Sequence, residues 1–78
     1  MVTKLPHLKK TAILHEFAKR IRNRRHAMEI TQEELAEKAE LHVNYVGEIE
    51  RAKRNPSLMC LVALAKALEV SPKELIPD

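Results

Sequence analysis

Apolar residues recur every three or four positions along most of this chain, a spacing that predicts amphipathic helices. Residues 1–10 show no clear period and are interpreted as an N-terminal arm or lead-in. Over residues 11–28, helical spacing is kept by Ile13, Leu14, Phe17, Ala18, Ile21 and Met28. The pattern therefore predicts a first helix over 11–28 and one folded domain over 11–78.

Capping signals predict where the next two helices begin. Thr31 is followed three residues later by Glu34, a capping box in which each side chain bonds the backbone N–H of the other residue. The inner face of this second helix is expected to contain Leu35, Ala36 and Ala39. Residues 40–42 interrupt the pattern, so a third helix is expected from position 42 or 43 to 51.

Proline and serine delimit the last two helices. Pro56 cannot continue a helix and Ser57 is a favourable N-cap, so a fourth helix is expected over 58–68. Its inward positions are Leu58, Leu61, Leu64, Ala65 and Leu68. The segment SPKE at 71–74 combines a serine cap, a proline at the first helical position and a closing glutamate, which predicts a short fifth helix. The predicted fold is an all-α, compact five-helix bundle.

Composition limits the classes of function. A chain of 78 residues buries only about 60–65% of its unfolded surface, so it forms one thin core and no deep catalytic cleft. Cys60 is the only cysteine, which excludes an intramolecular disulfide. Because the chain has no apolar run of about 18 residues and no signal-peptide pattern, its expected location is cytoplasmic. The net charge of +3 permits an anionic partner without requiring one.

No constellation of residues supports catalysis or metal binding. The histidines, at His7, His15, His26 and His42, are scattered, and none pairs with Cys60 at metal-ligand spacing. Cys60 has no indicated base partner either, so it is expected to be a small filler on the fourth helix. The protein is therefore predicted not to be an enzyme and to use no metal or cofactor.

The second and third predicted helices meet the geometric requirement of a helix-turn-helix at about residues 32–51. The small side chain of Ala36 lets the two helices cross closely, while Val46 and Ile49 hold the third helix on the core. In such a unit the second of the two helices enters the major groove of DNA. These residues are therefore a candidate DNA-binding unit.

The outward face of the third helix carries groups that suit groove chemistry. At about 100° per residue, that face presents Val43, Asn44, Gly47, Glu48 and Arg51. Asparagine can bond adenine, glutamate can accept from cytosine N4, and valine can touch a thymine methyl. Gly47, the only glycine in the chain, would remove a side chain where the helix lies close to the duplex. The same pattern also fits a solvated helix face, and the helical wheel alone does not separate the two.

The stretch TQEELAEKAELHVNYVGEIERAKRNPSLMCLVALAKALEVSPKEL, residues 31–75, resembles the phage-repressor-like helix-turn-helix regulators of the xenobiotic-response-element type. The segments TQEELA, IER, RNPSL, AKAL and VSPKEL are in family register without gaps. The resemblance implies a lambda-repressor-like domain that binds a near-palindromic operator in double-stranded DNA as a homodimer. It also implies a small bacterial or phage transcriptional regulator, such as a restriction–modification controller or a prophage repressor.

The resemblance assigns roles to individual residues. The implied base-reading positions are Val43, Asn44 and Glu48, with Gly47 among them on the same face. The implied phosphate contacts are Gln32, at the start of the second helix, and His42, Arg51, Lys53, Arg54 and Asn55. Arg25 and Glu50 match a pair that forms a buried salt bridge between the first and third helices.

Three positions depart from the family pattern. Glycine is usual where this chain has Glu40 and Ala52, and both sites often need a positive φ, so both turns are expected to be strained. Arg24 stands where an apolar residue is usual. The other basic residues of the first helix fit either a solvated face or phosphate contact.

Apolar residues left over near the C-terminus are candidates for a dimer interface. They are Leu68, Val70, Leu75 and Ile76, with Val62, and part of the set must instead cap the core. The alternative to a DNA-binding regulator is an antitoxin-like or other protein-binding module on the same fold. That alternative predicts weak DNA affinity and tight co-purification with a protein partner.

Overall fold

Helices form the secondary structure of the described residues. The computed structural model describes the backbone of residues 7–77 and the side chains of residues 11–77. The helices are α1 (His7–Ala27), α2 (Gln32–Ala39), α3 (Val43–Glu50), α4 (Leu58–Ala67) and α5 (Pro72–Leu75). The predicted all-α, five-helix fold is confirmed. Within residues 7–77, no helix has both the length and the apolar character that a membrane span requires.

The first helix begins at His7 rather than near position 11. Leucine and lysine have high helix propensity, so residues 8–10 continue the helix although they lack an apolar period. Residues 7–10 of the predicted arm or lead-in are therefore helical, as the start of α1. The rest of the predicted arm, residues 1–6, lies outside the described residues.

The predicted caps are present at the starts of the later helices. Thr31 Oγ1 accepts a hydrogen bond from the Glu34 N–H at 3.0 Å, and Glu34 Oε1 accepts one from the Thr31 N–H at 2.8 Å. Ser57 Oγ accepts from the Cys60 N–H at 3.1 Å and so caps α4. These side chains satisfy backbone donors that the first turn of a helix leaves without partners, which fixes where each helix begins.

The core contains one buried stripe from each helix. Its largest fully buried side chains are Ile21, Leu35, Val46, Ile49, Leu64, Leu68 and Leu75. Ala36, at 3% exposure, lies where α2 packs against α3, and its methyl group permits the close crossing that the sequence indicated. The core therefore fixes α3 through Val46 and Ile49 and directs its opposite face towards solvent.

Two positions predicted to face the core are exposed instead. Leu58 is 74% exposed and Ile13 is 40% exposed. The helical period identifies a face of a helix, but it does not show how far along that face the neighbouring helices extend. The buried residues of α4 begin at Leu64, and among residues 11–27 of α1, whose side chains the structure describes, burial begins at Phe17. Leu58 and Ile13 therefore lie beyond the part of each helix that its neighbours cover.

Helices α1 to α4 are each followed, within two residues, by a left-handed residue that is not glycine. The φ angles are 58° at Glu29 and Glu40 and 59° at Ala52 and Glu69. The prediction of positive φ at Glu40 and Ala52 is confirmed, whereas the sites at Glu29 and Glu69 had no sequence signal. After Ala52, the N–H of Lys53 returns to the carbonyl of Glu48 at 2.8 Å, as in a Schellman motif. The chain thus reverses sharply at the end of α3.

Glycine at these turns is expected to stabilise the protein. A left-handed conformation costs an L-residue about 1–2 kcal/mol, which exceeds the extra entropy that glycine loses on folding. We expect Ala52→Gly and Glu40→Gly each to raise the free energy of unfolding by about 0.5–1 kcal/mol in urea titrations. The matched control is Ala12→Gly, an exposed position inside α1, which should lower it by about 1 kcal/mol. A clear loss of stability at Ala52 would show that its turn is not strained.

Candidate nucleic-acid interface

The segment between α2 and α3 sets the orientation of the third helix. Glu40 ends α2 in the left-handed conformation, and the N–H of Leu41 returns to the Ala36 carbonyl at 2.8 Å. His42 is the N-cap of α3, because its Nδ1 accepts from the Asn44 N–H at 3.1 Å. This ring is exposed at the edge of the α3 surface. Capping α3 is therefore a structural role for a residue that the resemblance assigned to phosphate contact.

An open concavity of about 390 Å³ lies between the N-terminus of α2 and the outward face of α3. It is lined by Gln32, Glu33, Val43, Asn44, Gly47, Glu48 and Arg51. All four positions expected to read bases line it, together with two of the expected phosphate contacts. Of the other four, His42 is exposed just before α3, and Lys53, Arg54 and Asn55 are exposed in the segment that follows α3. The structure thus gathers most of the sequence-predicted residues on one surface.

Gly47 lies beneath two side chains of that concavity. A Cβ atom at Gly47 would lie 3.2 Å from Arg51 Nη1 and 3.7 Å from Gln32 Oε1. Gly47 is consequently buried rather than open to solvent. The helical wheel placed it on the outward face, but a wheel does not show that long neighbouring side chains fold across a glycine. The absence of a side chain lets Arg51 lie close against α3.

Gly47→Ala is expected to separate stability from DNA binding. The methyl group displaces only the tip of the flexible Arg51 side chain, and alanine favours a helix interior by about 0.8–1 kcal/mol over glycine. We expect the free energy of unfolding to rise by up to about 1 kcal/mol while DNA affinity falls, because Arg51 is moved. Thr11→Ala, at an exposed site on α1, should stabilise without changing DNA affinity. Equal DNA affinity of Gly47→Ala and the wild type would show that the position of Arg51 is unimportant.

A buried ion pair joins α1 to the end of α3. Arg25 donates from Nε to Glu50 Oε2 at 2.6 Å and from Nη2 to Glu50 Oε1 at 2.9 Å. The two side chains are 12% and 2% exposed. Burial alone would raise the pKa of Glu50, but hydrogen bonds from Arg25 and Gln32 and the charge of Arg25 hold that pKa below its ordinary value. Glu50 is thus an ionised structural group and not part of the outward surface.

Gln32 completes this buried network. Its Nε2 donates to Glu50 Oε1 at 2.9 Å, so the side-chain amide is bound inside the protein. A buried carboxylate needs several donors, and Arg25 and Gln32 together supply three hydrogen bonds to Glu50. The side chain of Gln32 thus connects the start of α2 to α3 while the residue also lines the concavity. The phosphate contact that the resemblance implies for Gln32 stays a prediction, for which its backbone N–H and the second hydrogen of Nε2 are the available donors.

Arg54 and Glu48 form an ion pair that sequence reasoning missed. Arg54 Nε lies 2.7 Å from Glu48 Oε1, and its guanidinium carbon lies 5.3 Å from the centroid of the Tyr45 ring. The hydrogen bond to Glu48 raises the pKa of Arg54. A spacing of six residues matches no helical pair, so only the reversal of the chain after α3 brings the two charges together.

The basic residues of α1 bond to the ends of other helices. Arg24 Nε donates to the Leu68 carbonyl at 2.8 Å, which explains a charge where an apolar residue is usual. Arg20 Nη1 donates to the Glu74 carbonyl at 3.2 Å, and Arg22 Nη1 donates to the Glu50 carbonyl. These arginines occupy carbonyls at helix C-termini, which is favourable for cations. They therefore hold α1 against the bundle.

The candidate dimer residues divide between the core and the surface. Leu68 and Leu75 are 0% and 2% exposed, so they close the core of one molecule and cannot contact a second. Ile76 is 46% exposed and Val62 is 40% exposed, while Val70 is partly buried against the core. The sequence could not make this division, because inward and outward apolar residues look alike until the neighbouring helices are in place.

Comparisons with known proteins place this chain in a family. The family model described as helix-turn-helix matches residues 19–75. The control protein C.SmaI of Serratia marcescens is 42% identical over 59 residues, which are 76% of this chain and 70% of that protein. The immunity repressor protein of Bacillus phage phi105 is 41% identical over 76% of this chain but only 41% of its own length.

A solved structure shows the same arrangement of helices. The restriction-modification controller protein C.AhdI from Aeromonas hydrophila is 43% identical, with a TM-score of 0.81. The superposed part covers 83% of this chain and 98% of C.AhdI. Sequence and fold therefore agree: this chain belongs to the helix-turn-helix family of DNA-binding transcriptional regulators of the xenobiotic-response-element type.

Proposed function

We propose that the protein regulates transcription as a homodimer that binds a near-palindromic operator in the cytoplasm of a bacterial or phage-infected cell. The observation that carries this proposal is the concavity between α2 and α3, lined by the outward residues of α3. A helix whose outward face is accessible, like that of α3, fits the major groove, which is about 12 Å wide. Within this family we favour the controller type, because the likeness covers nearly all of C.AhdI but less than half of the phage repressor.

Three side chains on α3 would read bases. Asn44 is exposed, and its amide can donate to and accept from adenine. Glu48 presents a carboxylate to cytosine N4, and Val43, partly exposed at the first position of α3, presents methyl groups to thymine. These side chains line one continuous surface. They would therefore contact neighbouring base pairs of a half-site.

Backbone donors and cations at the rim of the concavity would bind phosphates. Thr31 accepts from the N–H groups of Glu34 and Leu35. The N–H groups of Gln32 and Glu33 begin α2, and a helix N-terminus is a favourable place for a phosphate. Arg51 lines the concavity, and the exposed His42, Lys53 and Asn55, which flank α3 in sequence, would add further phosphate contacts. The rim thus orients α3 without adding sequence preference.

The exposed apolar face at the start of α4 is the candidate dimer interface. Leu58 is 74% exposed, Met59 is 80% exposed and Val62 is 40% exposed. Exposed apolar side chains so close together are characteristic of interaction sites. A twofold axis through this face would present two α3 helices to successive major grooves, about 34 Å apart.

Met59→Glu is expected to shift the protein from dimer towards monomer. A carboxylate at each of two apposed faces adds desolvation and repulsion, so the dimer should weaken by about tenfold or more. Sedimentation equilibrium would measure this change, with DNA titrations in parallel. Ile13→Glu is the matched control, because Ile13 is an exposed apolar residue on α1 rather than α4. A Met59→Glu variant that remains dimeric would exclude this face.

Selection of duplexes from a random DNA pool tests the proposal without assuming an operator sequence. We expect enrichment of two inverted half-sites whose centres lie about one helical turn apart or a multiple of it. The antitoxin-like alternative predicts no enriched sequence and a protein partner that co-purifies with this chain. Failure of the pool to yield any consensus would therefore contradict the proposed function.

A further inference from the structure

The ion pair between Glu48 and Arg54 joins a proposed base reader to a residue outside α3. Glu48 Oε1 lies 2.7 Å from Arg54 Nε, and the side chains are 38% and 56% exposed. Exposed pairs of this kind contribute little to folding stability. Neighbouring residues nevertheless fix the position of this pair, which indicates a role other than folding stability.

Three features hold the Arg54 guanidinium beside Glu48. The left-handed Ala52 reverses the chain, and the N–H of Lys53 bonds to the Glu48 carbonyl at 2.8 Å. The face of the Tyr45 ring lies 5.3 Å from the guanidinium carbon, within the range of a cation–π contact. Tyr45 itself packs against the core cluster. The ring is therefore a stable platform for the arginine.

A carboxylate that reads a base in the major groove faces an electrostatic difficulty. Each base pair lies between phosphates of both strands, so the groove carries a negative potential. An unpaired Glu48 would lose hydration there and would be repelled. Arg54 bonds to Oε1, and the carboxylate retains acceptor capacity on Oε2 for a cytosine amino group. The arginine can thus neutralise Glu48 and orient it while a base is bound.

We propose that Arg54 is a specificity-determining residue that positions Glu48, with Tyr45 as its platform. This inference rests on the proposed function, because it concerns the same α3 surface. It replaces the simpler role of a phosphate contact for Arg54. The two roles differ in a measurable way: a phosphate contact strengthens binding to every sequence alike, whereas a positioning residue changes the preference at one base pair.

A double-mutant cycle on DNA binding tests the proposal. Arg54→Ala, Glu48→Gln and the double variant are titrated with the selected operator and with duplexes substituted at each half-site position in turn. We expect Arg54→Ala to reduce discrimination at the same base pair as Glu48→Gln, by about five- to twentyfold. In the Glu48→Gln background the further effect of Arg54→Ala should shrink to about twofold or less.

The control is Lys53→Ala, which removes a neighbouring exposed cation that forms no ion pair among residues 11–77. It should weaken binding to all duplexes alike and reduce the salt dependence. If Arg54→Ala behaves in the same way, with an equal effect in both Glu48 backgrounds, the positioning role is excluded. If the wild type itself shows no preference among duplexes, the proposed function fails, and the positioning role fails with it.

Substitution of Tyr45 tests the platform separately. Tyr45→Phe keeps the aromatic face and should retain base discrimination, whereas Tyr45→Leu should lose part of it at the Glu48 base pair. Thermal unfolding of both variants checks that α3 remains folded. If the phenylalanine and leucine variants discriminated equally well at the Glu48 base pair, the Tyr45 ring would have no role in positioning Arg54.

Discussion

Replacing Glu50 with alanine is expected to lower the free energy of unfolding by about 3–5 kcal/mol. The substitution leaves Arg25 only 12% exposed and without its counter-charge, and it removes an acceptor from Gln32. A domain of this size has roughly 5–10 kcal/mol of stability, so the effect should be large in urea or thermal unfolding. The loss would identify the Arg25–Glu50 pair as the principal polar connection between α1 and α3.

Two further variants keep this test interpretable. Glu50→Gln retains an acceptor but not the charge, so it should lose less stability than Glu50→Ala and remain folded if the alanine variant does not. Glu16→Ala breaks an ion pair with Arg20 whose side chains are 41% and 34% exposed, and it should cost less than about 1 kcal/mol. Similar small losses for Glu16→Ala and Glu50→Ala would contradict a structural role for Glu50.

The same carboxylate predicts how stability depends on pH. Although burial favours a higher value, hydrogen bonds from Arg25 and Gln32 hold the pKa of Glu50 below its ordinary value in the folded protein. The unfolded chain has a glutamate pKa of about 4.3, so the stabilisation is complete above that pH. It is lost as the pH falls through the lower, folded pKa. Glu50→Gln should therefore show a weaker loss of stability below about pH 4.3 than the wild type.

Replacing Asn44 with alanine is expected to reduce discrimination at one base pair by about 1–3 kcal/mol. Asn44 is exposed on α3 and lines the concavity, so its amide is available for bidentate contact with adenine. Its backbone N–H, which bonds to His42, is unchanged by the substitution, so α3 should remain capped. Titration of the selected operator and of single-base-pair variants would measure the change.

Lys53→Ala provides the comparison for Asn44→Ala. A phosphate-contacting lysine supplies charge but no base preference, so its loss should weaken every duplex by a similar factor. The slope of log K against log salt should change by about one unit. If Asn44→Ala and Lys53→Ala behaved identically, the division of this surface into base-reading and phosphate-contacting parts would be wrong.

Local signals in the sequence predicted most of the fold. The caps at Thr31 and Ser57 and the apolar period through Val46 and Ile49 depend on neighbouring residues, and the structure has each of them in place. The extent of contact between helices depends on the whole fold. The exposed Leu58, at the start of α4, therefore could not be distinguished from a core leucine by its spacing.

The candidate site was predicted as a set of positions but not as a set of contacts. The outward face of α3 follows from helical geometry. The coverage of Gly47 by Arg51 and the return of Arg54 to Glu48 depend on side-chain conformations and on the left-handed turn at Ala52. The hydrogen bond from Gln32 to Glu50 likewise forms only when α2 and α3 are packed together. A pattern of residue types in the sequence does not predict such contacts.

The most direct test of the central claim is the affinity of the wild-type protein for DNA from upstream of its own gene, compared with a shuffled duplex at several salt concentrations. A sequence-specific regulator predicts nanomolar binding that survives physiological salt, with a preference of about a thousandfold or more. Equal binding to both duplexes, lost as salt rises, would contradict an operator at that location. If the duplexes selected from the random pool were bound no better than the shuffled duplex, this surface would not recognise DNA by sequence, and the central claim would be wrong.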